Sequence, residues 1–146
     1  MKKNLLYSVA LVASLFVTSA FAQQYTFVAN LDPSNETPDP LATPRSGLSV
    51  GVATVNDDGT SSVLVIVSAF NNETPITASH VHIGEPGVGG PVICPLAGPE
   101  FTNPVIANCT FDVDQTNALF NGNLYVNVHT MAHPGGEIRD QLNFVQ

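Results

Sequence analysis

Residues 47–70 read GLSVGVATVNDDGTSSVLVIVSAF, and the order of residue types in this stretch decides the fold. Apolar residues alternate with small ones in the first half, whereas the second half is nearly all apolar and β-branched. Between them lies Asn56-Asp57-Asp58-Gly59, whose residue types tolerate the positive φ of a hairpin turn. The stretch predicts two antiparallel strands. We expect the second, Ser62 to Phe70, to be central and buried on both faces.

The rest of the chain continues this pattern of short strands separated by turns. Further strands are predicted at Tyr25–Asn30, Ile76–Ile83, Pro91–Leu96, Cys109–Val113, Leu124–Thr130 and Glu137–Phe144. A short helix is predicted at Asp114–Phe120. Strands at hairpin spacing predict an all-β fold, an antiparallel β-sandwich of about seven or eight strands.

The composition restricts the partners. The chain has 146 residues, with 12 acidic against 4 basic side chains, so its net charge is −8. Four cations are too few for a surface that follows a phosphate backbone, which excludes nucleic acid as an expected partner. A chain of this length is expected to form one domain.

The first 22 residues have the features of a signal peptide. Lys2 and Lys3 form a basic start, a mostly apolar run covers residues 5–17, and Ala20-Phe21-Ala22 supplies small residues for cleavage. A transmembrane anchor is the weaker alternative, since a bilayer span takes about 20 apolar residues. We therefore expect a single domain, residues 23–146, that is secreted or periplasmic and has no membrane span. Loss of both lysines would change the net charge from −8 to −10.

Cys94 and Cys109 have 14 residues between them. In an oxidising compartment two such cysteines predict a structural disulfide, which contributes about 3 kcal/mol in the chain-entropy model. The alternative is a thiolate metal site. It is disfavoured because neither cysteine belongs to a C-x-x-C pair.

All four histidines lie in two short segments, residues 80–82 and 129–133. Alternate side chains of a strand share a face, so His80 and His82 lie on one side and His129 lies on the non-core side of its own strand. Neighbouring strands would bring these three together, and His133 joins them if the chain turns at the Pro-Gly-Gly that follows. Imidazoles suit copper or zinc, so the expected ligands are His80, His82, His129 and His133. The alternative is that the rings only hydrogen-bond loops.

Several of these segments together resemble the chordin-type (CHRD) domain. The segments that carry the resemblance are His80-Val81-His82-Ile83-Gly84, Gly89-Gly90-Pro91-Val92, Leu124 to Thr130, and His133-Pro134-Gly135-Gly136-Glu137-Ile138-Arg139. Asn35-Glu36-Thr37-Pro38 with Gly47 fits the opening of that family, whereas Asp140 stands where the family usually has Gly. The resemblance implies an extracellular immunoglobulin-like β-sandwich and no settled activity.

The same histidine strands are also similar to the ligand strands of copper/zinc superoxide dismutases. This similarity implies that His80, His82 and His129 are copper ligands and that Arg139 attracts an anion. Two features depart from it. The histidines are too few for separate copper and zinc sites, and the net negative charge repels superoxide.

Three hypotheses follow for the function. The leading one is an exported CHRD-type module, not an enzyme, that binds one copper or zinc ion and has no catalytic residue; Arg139 would then pair with Glu137. The second is a copper-dependent redox enzyme in which Arg139 attracts the substrate. The third is a metal-free envelope or adhesion domain. The expected partners are a metal ion and an extracellular or envelope protein.

Overall fold

The computed structural model describes residues 22–71, 73–99 and 101–145. The predicted signal peptide, residues 1–22, lies outside this part of the chain except for its last residue. The described residues form nine strands: β1 Gln24–Leu31, β2 Ser46–Val55, β3 Ser61–Phe70, β4 Ile76–Ile83, β5 Val92–Ala97, β6 Val105–Phe111, β7 Leu124–Thr130, β8 Ile138–Gln141 and β9 Asn143–Val145. They also form a 3-10 helix, Pro33–Asn35, and one α-helix, α1, Val113–Phe120.

The strands form two antiparallel sheets that enclose an apolar core. One sheet has the order β6-β3-β2-β1-β9 and the other β5-β4-β7-β8. Alternation puts Val63, Val65 and Val67 of β3 into the core from one sheet, and Val126 and Val128 of β7 from the other. All five are at most 1% exposed. The predicted all-β sandwich is confirmed, with nine strands in the described residues.

Both edges of the sandwich are joined. Cys94 in β5 and Cys109 in β6 form the predicted disulfide, and these are edge strands of opposite sheets. At the opposite edge the chain passes from β8 in one sheet to β9 in the other. The single strand predicted over Glu137–Phe144 is therefore wrong, because Leu142 turns inward between them and is fully buried.

Two further strand predictions need correction. Strand β3 is not buried on both faces, because the opposite sheet covers only its inner face and Leu64 remains 37% exposed. Strand β6 begins at Val105 instead of Cys109, since its pairing with β3 extends to the register pair Val67 and Val105.

Helix α1 covers one end of the core. It begins after Asp112, which forms a capping box with Gln115. Phe120 at its end packs edge-on against Tyr25 and Phe27, with ring centroids 4.9 and 5.3 Å apart. Among the described residues, no helix is long and apolar enough to cross a membrane.

The disulfide gives the first testable prediction. Replacing both cysteines by alanine should lower the free energy of unfolding by about 3 kcal/mol, because the unfolded chain gains the entropy that the cross-link had removed. Urea denaturation followed by circular dichroism measures the difference. Thiol labelling of the denatured, unreduced wild-type protein should find no free cysteine, and full labelling of both would contradict the pairing.

Candidate metal centre

The four-stranded sheet carries polar side chains on the side that faces away from the core. In register, His80 lies opposite Asn127, and Asn127 lies opposite Arg139. His82, Tyr125 and Gln141 form the neighbouring row. We use the term polar side for these six residues together with His129, the next outward residue of β7. The prediction from the alternation of side chains along each strand therefore places the histidines on the correct side of the sheet.

Three loops cover the polar side: residues 32–45, 84–91 and 131–137. The loops leave little of this side accessible to solvent: the exposed fraction is 2% for Tyr125 and Arg139 and 4% for Asn127. The Arg139 guanidinium holds two of the loops by donating to Thr37 Oγ1 at 2.7 Å and to the Val88 carbonyl at 3.2 Å. The polar side therefore forms a second buried layer made largely of hydrogen-bonding groups.

His80, His82 and His129 come together under these loops. The ring centroid of His80 lies 5.7 Å from that of His82 and 4.9 Å from that of His129, and the other two centroids are 6.0 Å apart. One ring nitrogen from each histidine lies within 4.8 Å of the other two. The juxtaposition of strands β4 and β7 that the sequence predicted is present.

Backbone carbonyls fix the protonation of two of the rings. The Gly90 carbonyl lies 2.9 Å from His82 Nδ1, and the Pro134 carbonyl lies 3.0 Å from His129 Nδ1. A carbonyl oxygen only accepts hydrogen bonds, so each Nδ1 must carry a proton and donate it. In the neutral rings the lone pair then belongs to Nε2 of His82 and of His129.

Those Nε2 atoms have no hydrogen-bond partner. Both are buried and unpartnered, and so is Nδ1 of His80. A buried polar atom without a partner costs about 1–3 kcal/mol, so three of them in one cluster need an explanation. A shared cation would supply one.

Burial also favours the neutral imidazoles that a metal requires. Loss of solvent lowers the pKa of His80, His82 and His129 below the ordinary value of 6.5, and the neighbouring rings lower it further for His80 and His82. The hydrogen bonds to the carbonyls of Gly90 and Pro134 oppose this shift without reversing it. The cluster is therefore a set of uncharged nitrogen donors at neutral pH.

The spacing of the nitrogens fits a single divalent ion. Zinc–nitrogen bonds are about 2.0–2.1 Å long, which places two ligands of a tetrahedral ion about 3.4 Å apart. Nitrogens within 4.8 Å of one another reach that geometry by side-chain movements of about 1 Å. Three imidazoles would leave a fourth coordination position for water or another ligand.

His133 does not belong to this cluster. It lies in the 131–137 loop, where its backbone amide donates to Thr130 Oγ1 at 3.1 Å. It lines a cavity of about 290 Å³ together with Glu36. The turn at Pro134-Gly135-Gly136 instead brings the Pro134 carbonyl to His129, so a role for His133 as ligand stays a prediction.

Tyr125 supports His82 in two ways. Its ring stacks on the imidazole with centroids 4.8 Å apart and planes within 10°. Its hydroxyl accepts a hydrogen bond from the Gly90 amide at 3.0 Å, and the carbonyl of Gly90 holds His82 Nδ1. The Arg139 guanidinium carbon lies 3.6 Å from the Tyr125 ring centroid, a cation–π contact. These contacts leave the His82 ring little freedom to rotate.

Two loop positions require glycine. A Cβ on Gly90 would collide with the backbone carbonyl of Ile83, which is fixed in a strand. Gly136 has φ +131°, and a Cβ there would collide with the side chains of Asn127 and Glu36. These two glycines, which belong to the segments that carry the family resemblance, therefore allow the loops to approach the polar side.

The expected ion pair between Arg139 and Glu137 is wrong. Glu137 precedes β8 and pairs with Arg45, whose Nε lies 2.9 Å from Glu137 Oε2. Both side chains are at least 95% buried. Arg139 instead binds Thr37, Val88 and the ring of Tyr125, so its guanidinium is not presented to solvent.

Two buried glutamates beside this layer have opposite pKa shifts. Burial raises the pKa of Glu36 to about 7, although the charge of Arg139 and the amide of Asn127 lower it in part. Burial also raises the pKa of Glu137. There, the hydrogen bond from Thr130 and the charge of Arg45 outweigh burial, so the net shift is downward. Glu36 therefore takes up a proton near neutral pH and Glu137 does not.

Comparison with known proteins identifies the family. The family model of the CHRD domain matches residues 27–142, which is most of the chain. The chain belongs to the CHRD-domain family. No curated protein and no solved structure matches this CHRD domain. The match covers both histidine strands, the disulfide and all three covering loops.

Sequence reasoning missed Glu36, Tyr125 and Gly90 as parts of the site. Tyr125 had a usable signal, since it shares the strand face of His129. For Glu36 the only signal was its place in the Asn-Glu-Thr-Pro motif, because the alternation of side chains along a strand does not apply in a loop. The position of the Gly90 carbonyl depends on how its loop folds back, which residue types alone do not specify.

The glutamate pair gives the second prediction. For Glu36 the folded pKa is raised, so its contribution to stability is fully present below pH 4.5 and is lost as the pH rises through about 7. Glu36→Gln removes this titration. The variant should differ from wild type by less than about 1 kcal/mol near pH 5 and exceed its unfolding free energy at pH 8 by at most about 3 kcal/mol. Thermal unfolding at the two pH values measures this difference.

Glu137→Gln is the matched control. It should destabilise the protein by about 3–5 kcal/mol at both pH values, because it leaves the Arg45 charge buried without its partner. Histidine titration is common to all three proteins and cancels in the comparison. A Glu36→Gln variant that is less stable than wild type at pH 8 would contradict the assignment.

Proposed function

We propose that this CHRD domain binds one copper or zinc ion through His80, His82 and His129 and acts as a metal-binding module. The observation that carries the proposal is the set of three buried, unpartnered ring nitrogens within 4.8 Å of one another. Two of these nitrogens are held in the ligand form by hydrogen bonds from the opposite side of the ring.

The donor set favours copper or zinc among the common metals. Neutral imidazole suits these borderline ions, whereas calcium and magnesium prefer oxygen ligands. The nearby carboxylates are used otherwise: Glu137 pairs with Arg45, and Glu36 contacts Asn127. The ion would therefore have three nitrogen ligands from the protein.

A binding role is favoured over a redox enzyme of the dismutase kind. Such an enzyme needs a cation that attracts its anionic substrate, and Arg139 is 2% exposed and engaged by two loops. The net charge of −8 also opposes the approach of an anion. Both observations support a module without catalytic activity.

We also propose that the domain works outside the cytoplasm, secreted or in the periplasm. The disulfide between Cys94 and Cys109 is typical of proteins in oxidising compartments. The predicted signal peptide over residues 1–22 agrees with it.

Metal titration of the untagged protein tests the proposal. After treatment with a chelator, wild type should bind one equivalent of copper or zinc in isothermal titration calorimetry. His82→Ala and His129→Ala should each weaken binding by at least about 100-fold, because each removes one of three bonds to the ion and the support that its carbonyl partner provided.

His133→Ala is the matched control for loss of an imidazole. It lies outside the cluster and should change the affinity by less than about 10-fold. Circular dichroism of every variant checks that the sandwich is intact. Wild type that takes up no metal, or a His133→Ala loss equal to that of His82→Ala, would contradict the proposed site.

A further inference from the structure

The five-stranded sheet exposes an apolar surface on the side that faces away from the core. In β3 the buried Val63, Val65 and Val67 alternate with Leu64 and Ile66, which point outward. We use the term outer face for the outward positions of β1, β2, β3 and β6. It lies on the sheet opposite to the one that carries the histidines, so it is separate from the candidate metal centre.

Strand register aligns these outward residues into rows. One row runs across four strands and consists of Val28, Val50, Ile66 and Ile106. The next consists of Thr26, Val52, Leu64 and Asn108. Ile106 is 64% exposed and Leu64 37%. The aliphatic side chains of these adjacent rows thus form one continuous surface.

The outer face carries no charge. Among the described residues, its remaining outward positions are Gln24, Asn30, Ser46, Leu48, Thr54, Ser62, Ser68, Phe70 and Thr110. The acidic residues nearest to it along the chain lie just past the ends of its strands: Asp32 follows Asn30 by two residues, and Asp112 follows Thr110 by two. The solvent-facing side of an antiparallel sheet normally carries charged residues among its polar ones, so an uncharged side with an aliphatic centre indicates an interaction surface.

We propose that the outer face binds the outer face of a second copy of this chain, giving a symmetric dimer. The absence of charge on the outer face permits a second copy to bind there. Two molecules with net charge −8 repel each other, and the uncharged outer face is a surface through which they can approach without bringing carboxylates together. The same face on both partners is what two-fold symmetry requires.

The size and composition of the outer face agree with a dimer. Four strands about 4.8 Å apart and about eight residues long cover roughly 500 Å² of flat area, so two facing copies would bury about 1,000 Å² in total, the lower end of specific interfaces and consistent with a dimer that dissociates on dilution. Aliphatic side chains lie at the centre, with uncharged Thr, Ser and Asn around them, as in the core and rim of protein interfaces. When two twisted sheets pack face to face, their strand directions differ by about 30°, and the same arrangement would apply to two outer faces.

A dimer also explains the amino-acid sequence of β3. Its run of apolar and β-branched residues is typical of a strand that is covered on both faces. Within one chain only the inner face is covered. The second copy would bury Leu64 and Ile66 and complete the environment that the residue types indicate.

Sedimentation velocity on protein expressed from the full sequence tests the proposal. Wild type should sediment as a dimer at about 100 μM and dissociate on dilution. Leu64→Lys and Ile106→Lys should each raise the dissociation constant at least about 100-fold, because each would bury an unpaired charge at the interface. Both side chains are already exposed in the single chain, so the substitutions leave its core unchanged.

Met131→Lys is the matched control. Met131 is 70% exposed in the loop after β7, and this variant should remain a dimer. Every lysine variant has a smaller net negative charge than wild type, so unspecific electrostatics would strengthen association and oppose the expected result. The number of zinc ions bound per chain depends on the other sheet, so it should be the same in all variants. Wild type that is monomeric at about 100 μM, or lysine variants at Leu64 and Ile106 that still dimerise, would overturn the proposal.

Discussion

Polar atoms on the polar side of the four-stranded sheet are buried under loops, and a buried polar atom is costly unless it is hydrogen-bonded. This constraint accounts for most contacts of the candidate metal centre. Loop carbonyls from Gly90 and Pro134 accept the Nδ1 hydrogens of His82 and His129. Once those hydrogens are placed, the lone pairs of both rings belong to Nε2, which the protein leaves unpartnered.

The covering loops are held by the same requirement. Arg139 is buried beneath them, and its guanidinium is satisfied by Thr37 from one loop and Val88 from another. Tyr125 links this arginine to His82, since one ring contacts both. The residue that the dismutase similarity implied as an attractor of anions thus joins the loops to the sheet. Its contacts are structural, and they reach the candidate metal centre through the stacked rings of Tyr125 and His82.

The alternation of apolar and polar residues predicted the two sheets well, but it predicted the loops that cover the polar side poorly. Alternation along residues 47–70, 76–83 and 124–130 was sufficient to place these strands and to put His80, His82 and His129 on one side, because side-chain direction in a strand depends only on local sequence. Loops lack such a period. The pairing of Glu137 with Arg45 joins residues 92 positions apart, and the raised pKa of Glu36 depends on burial by a distant turn. The change of sheet at Leu142 likewise depends on the core it enters.

The protonation of the histidine rings tests the central claim most directly. Two-dimensional NMR that correlates ring nitrogens with carbon-bound hydrogens shows which nitrogen carries the proton in each histidine of the metal-free protein. We expect His82 and His129 to be protonated on Nδ1 at neutral pH, and we expect their Nε2 signals, together with Nδ1 of His80, to shift when one equivalent of zinc is added. Rings that are protonated on Nε2, or zinc that shifts His133 and leaves these three nitrogens unchanged, would contradict the account.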